Sequence, residues 1–100
     1  MVEVLYLRAQ QRLVNGQPFT AAAIAFRAIC ETCDRRGGMT PDPDVLYAPL
    51  RLAMDAAQAV PQEDPRKAGL AATILDATIR RWPEVGKLAW FQAMRDEVHP

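Results

Sequence analysis

Apolar residues recur along this chain at helical spacing in five stretches, with polar residues and turn formers between them. Over residues 2 to 14, Val2, Leu5, Tyr6, Ala9 and Leu13 share one side, while Arg8, Gln10, Gln11 and Arg12 face elsewhere. Alternating steps of three and four mark an amphipathic helix. Asn15-Gly16 followed by Pro18 ends it, because glycine accepts the left-handed geometry of a helix C-terminus and proline cannot continue the helix. A second helix is predicted from Pro18 or Thr20 to Asp34. Its stripe is Phe19, Ala22, Phe26, Ile29, Cys30 and Cys33, with Arg27, Glu31 and Arg35 on the wet side. Gly37-Gly38 closes it, and Arg36 to Asp44, which lacks periodicity, reads as an exposed loop.

The third stretch, Pro43 to Val60, carries Leu46, Leu50, Ala53, Met54, Ala57 and Val60 on one stripe. Pro49 interrupts it. A proline ring clashes with the preceding turn unless it sits near a helix start, so the pattern predicts either a kink there or, as the favoured reading, a short turn and a main helix from about Ala48. Asp64-Pro65 pairs an N-cap aspartate with a proline at the first helical position. The fourth helix is therefore predicted from there to Arg81, burying Ala68, Ala72, Leu75, Ile79 and Trp82. Pro83 breaks it and opens a last helix with Val85, Leu88, Phe91, Met94 and Val98 on one side. No stretch combines period two with β-branched composition. The expected fold is all-α: one domain, residues 1 to 100, of about five helices packed as a small bundle of antiparallel helical hairpins.

Composition changes this picture mainly in the core. Half of the residues are hydrophobic, which sets the chain apart from disordered sequences. Seventeen of them are alanines, so helices must approach closely and cannot be spaced by large side chains. Residues 5 to 29 resemble a tetratricopeptide helix pair at Ala9, Gly16, Phe19, Ala22 and Phe26, and Trp82-Pro83 gives a similar echo. The connection before Phe19 is one residue too long for that pattern, and the first helix does not match its aromatic and leucine positions. The likeness covers about a quarter of the chain and assigns no family.

Twelve basic residues balance twelve acidic ones. That balance argues against a dedicated nucleic-acid binder, whose affinity rests on neutralising phosphates. The basic dipeptides Arg35-Arg36, Arg66-Lys67 and Arg80-Arg81 have carboxylates nearby. Arg27 with Glu31, Arg51 with Asp55, Asp76 with Arg80 and Glu84 with Lys87 stand at helical spacing, as on solvated, self-compensating faces. No apolar run is long enough to span a bilayer, and Glu3 and Arg8 interrupt Val2, Val4, Leu5 and Leu7. The expectation is a cytoplasmic chain without a membrane partner.

Candidate chemistry is sparse. Cys30-Glu31-Thr32-Cys33 has the spacing of a redox or zinc motif. It sits near a helix end, where the dipole disfavours a thiolate, and no strand precedes it. As a zinc half-site it lacks ligands, since the only histidine is the penultimate His99; two chains would have to share the ion. The plainer reading packs both sulfurs on the Phe26 stripe as small apolar groups. The chain has no serine, and Gly37-Gly38 lacks the lysine and hydroxyl of a phosphate loop. The carboxylate pairs Glu63-Asp64 and Asp96-Glu97 lie at adjacent positions, which point in different directions on a helix. No catalytic residue and no cofactor is implied.

Trp90 lies off the line of Leu88, Phe91 and Met94, so the last helix is apolar on more than one face. That pattern predicts an interface anchored by Trp90, Met94 and Tyr47, with a homodimer through the last helix. The function expected is non-catalytic protein–protein interaction: an adaptor, a chaperone-like subunit, or a small inhibitor docking on a larger complex. Small stand-alone helical chains of this kind occur among phage and mobile-element proteins. The alternatives are a thiol-based zinc or redox module using Cys30 and Cys33, and a nucleic-acid-binding helical protein.

Overall fold

The computed structural model describes residues 2–34 and 43–98, with side chains for 3–32 and 45–98. Its helices are α1 (Val2–Val14), α2 (Pro18–Asp34), α3 (Pro43–Ala59), α4 (Leu70–Arg81) and α5 (Ala89–Val98). Two 3-10 turns, Pro65–Lys67 and Pro83–Lys87, join the elements of the second half. No strand occurs among the described residues. Neighbouring helices pack on one another, and α2 packs extensively against both α1 and α3. The body measures 38 × 32 × 18 Å. Its shortest dimension is less than two helix diameters of about 10–12 Å, so an edge helix keeps one side in solvent.

The first hairpin forms for the reasons its sequence suggests. Gly16 adopts φ +78°. Its N–H donates to the Leu13 carbonyl at 3.2 Å while that of Gln17 reaches the Arg12 carbonyl at 2.8 Å. These paired bonds satisfy carbonyls that a helix end otherwise strands. Pro18 opens α2 at a position whose N–H would have no partner anyway. Ala21, Ala22, Ala25 and Ala28 are fully buried along α2, with Ile29 among them. Alanine on more than one face lets this helix serve two neighbours at close range.

The third helix differs from its prediction. α3 starts at Pro43 and runs through Pro49, with no break at Ala48. Pro49 falls in the second turn, so only the bond to the Val45 carbonyl is missing. The predicted stripe of Leu46, Leu50, Ala53, Met54, Ala57 and Val60 is buried throughout.

The fourth helix begins later than predicted. Asp64 does cap, accepting from the Arg66 N–H at 2.9 Å, but what it caps is the 3-10 turn Pro65–Lys67. Gly69 at φ +72° then breaks the path, and α4 starts at Leu70. Ala68 is consequently exposed and Ala72 half-buried, while Leu75 and Trp82 are core. Lys67 closes α3, donating from Nζ to the carbonyls of Gln58 at 2.9 Å and Val60 at 2.8 Å. At the other end of α4, Trp82 is extended (φ −136°, ψ 89°). The following proline disfavours helical geometry there. Pro83 opens a 3-10 turn and not the last helix directly; α5 starts at Ala89. The buried Thr32 and Thr78 hydroxyls donate to the carbonyls of Ala28 and Ile74, both at 2.8 Å, which satisfies them within their own helices.

Candidate functional site

Helix α1 is where exposed apolar surface gathers. Leu5 and Ala9 are buried and Tyr6 and Leu13 half-buried, which accounts for the inner stripe. On the opposite side stand Val4, Leu7 and Val14, exposed by 40%, 57% and 85%. The remaining large exposed hydrophobics among the described residues, Val45 and Tyr47, lie at the start of α3. None lies on α2, α4 or α5. Between α1 and α3 runs a groove of about 350 Å³ lined by Glu3, Tyr6, Leu7, Val45, Ala48 and Pro49. Helix packing explains it: α1 and α3 both lean on α2 and touch each other only sparingly.

The residues expected to form an interface divide. Tyr47 and Trp90 meet across α3 and α5, ring centroids 5.2 Å apart at an interplanar angle of 87°. Trp90 also stands edge-on to Phe91 at 6.1 Å. Met94 is 2% exposed and belongs to the core beneath them. The wet side of α5 carries Gln92, Arg95, Asp96 and Glu97, and the half-buried Trp90 on its second apolar face stands against the exposed Tyr47. An exposed apolar surface that the sequence reading did not single out is the outer side of α1. Its signal was present, since Val4, Leu7 and Val14 recur at spacings of three and seven, off the core stripe.

Cys30 is half-buried on α2. The Cys33 side chain and His99 lie outside the described residues, as do Arg35-Arg36 and Gly37-Gly38. Among the described residues no group of three or more His, Cys, Asp or Glu side chains could hold a metal ion. No described helix is long and apolar enough to cross a membrane.

Several basic groups serve the fold. The Arg66 guanidinium lies 4.2 Å from the centre of the Phe19 ring, a favourable cation–π placement. It also bonds Asp64, the closest approach being 2.8 Å. That side-chain bond, and then the Arg66 backbone N–H, hold the Asp64 carboxyl below its ordinary range. Arg51 pairs with Asp55 at 3.0 Å and with Glu97 at 3.1 Å, tying α3 to α5; the Glu97 hydrogen bond leads the causes that raise its pKa. Arg27 and Glu31 pair at 3.4 Å. Arg80 instead donates to the backbone carbonyl of Asp76.

No protein-family model, no curated protein and no solved structure matches this chain.

Proposed function

We propose that this protein is a non-catalytic interaction module whose working surface is the outer side of α1 with the adjoining first turns of α3. One observation carries the reading: four of the five large exposed hydrophobics of the described residues, Val4, Leu7, Val14 and Val45, stand on α1 and the start of α3 beside it, while the fifth, Tyr47, stands against Trp90 of α5. Apolar side chains scattered singly over a surface carry no message, whereas their concentration on one side marks a place that another surface covers. An adaptor or a small inhibitor of a larger complex would use such a surface.

The test is a pull-down of tagged protein from host lysate, comparing the native chain with Leu7→Glu and Trp90→Ala. Leu7→Glu should lose a stoichiometric protein partner, either a second copy of the chain or another protein. Trp90→Ala should keep it, because Trp90 stands on α5 against Tyr47, away from the α1 side. Identical recoveries with native chain and Leu7→Glu would refute the reading.

A further inference from the structure

The outer stripe of α1 has the order of a helix-pairing seam. Val4, Leu7, Gln11 and Val14 follow one another at steps of three, four and three, all exposed. They correspond to the a, d, a and d positions of two heptads. In that register Glu3 takes a g position and Arg8 the following e position. Both are exposed, and neither side chain has a hydrogen bond or ion pair among the described residues. A g residue of one helix faces the e residue five places further along its partner when two helices run parallel.

We infer that this stripe is the seam of a parallel two-fold homodimer. The inference rests on the reading of the α1 side as an interaction surface and names its occupant: a second copy of this chain. In the pairing Val4, Leu7 and Val14 each meet their own counterpart. Gln11 meets the partner's Gln11, a polar pair at an a position of the kind that fixes register. Glu3 faces the partner's Arg8, and Arg8 faces the partner's Glu3.

The charges choose the orientation. An antiparallel pairing sets Val4 against the partner's Val14 and brings the two Arg8 side chains together near the axis, where they repel. Two heptads are too short to associate as free peptides. Here α1 is already ordered against α2, so the entropy of forming the helix is not lost again on pairing. The groove beside the seam, with Val45 and Pro49, extends the apolar surface open to the partner.

Sedimentation equilibrium of the full chain, from low micromolar to submillimolar concentration, tests this. The native chain should reach twice its 11.1 kDa mass. Leu7→Glu should weaken self-association at least ~10-fold by placing two carboxylates against each other at the seam. Val14→Lys provides the same test at a more exposed position, with circular dichroism checking that each variant is folded. Glu3→Arg and Arg8→Glu should each weaken the dimer by about two- to tenfold, and an equimolar mixture of the two should recover native affinity.

A native chain monomeric throughout overturns the homodimer, and so does a Leu7→Glu dimer as tight as the native one. A mixture no tighter than its components overturns the parallel arrangement. A monomeric chain that still captures another protein through Leu7 refutes this inference alone. A monomeric chain with no Leu7-dependent partner refutes the interaction reading with it.

Discussion

The two halves of the molecule solve the same packing problem with different side chains. In the first half, α2 lies between α1 and α3 and presents Ala21, Ala22, Ala25 and Ala28, all fully buried. In the second half, α4, α5 and the 3-10 turn between them enclose Ile74, Leu75, Trp82, Val85, Phe91 and Met94. Alanines permit long helices to run close together, but such helices cover only narrow strips of each other. The outer side of α1 is left bare as a result. Bulky side chains instead fill space between short elements set at turns, and no large hydrophobic remains exposed there. The lesson is that the tightest helix contacts and the most exposed apolar surface arise together, from the same small residues.

Substitutions can break this contrast. The largest effect is expected from Phe91→Ala, which empties a fully buried site in the second half. It should cost about 3–5 kcal/mol in a denaturant titration, since a cavity lined by Trp90 and the core cannot collapse fully. Ala25→Leu asks the opposite question of the first half. Adding volume where α2 meets its neighbours should cost about 1–3 kcal/mol. If it were neutral, the close alanine packing would not be what holds α1 and α3 to α2.

Gly86→Ala probes how tightly the second half is filled. A Cβ there would stand 2.6 Å from Ile79 Cδ1. The substitution should cost about 1 kcal/mol in the native chain and markedly less beside Ile79→Val, which removes that methyl group. Strict additivity in the double-mutant cycle would show that Ile79 simply moves aside.

The smallest effect concerns Asp64, whose carboxyl is held below its ordinary value chiefly by the Arg66 side-chain bond. A carboxyl with a lowered folded-state pKa stabilises the fold above its unfolded pKa. That contribution fades as pH falls through the folded value. The melting temperatures of native protein and Asp64→Asn should therefore differ slightly at neutral pH and converge in acid. A difference that grows on acidification would contradict the assignment.

Much of the fold was legible because burial and periodicity coincide. The stripe of α3 could be read residue by residue, and Gly16 and Asp64 announced local geometry that does not depend on distant contacts. The errors share a cause: a local signal correctly identified but given the wrong extent. Asp64-Pro65 starts a turn, and only the positive φ of Gly69 shows that this turn does not continue into α4. Pro49 breaks helices by rule, yet near the start of α3 it removes a single bond that the surrounding packing outweighs. Trp90 is a different case, since periodicity cannot reveal that Tyr47, from another helix, stands against it.

By itself, the sequence determined the helices, most of their inward faces and the turn at Gly16. Each of these follows from the backbone and its nearest neighbours along the chain. Tertiary structure decided which apolar stripes are covered and which stay wet. Val4 and Met94 are both hydrophobic residues on amphipathic helices, one 40% exposed and the other 2%. What separates them is how many helices surround each, and α1, at the edge of a thin slab, has too few to cover both its sides.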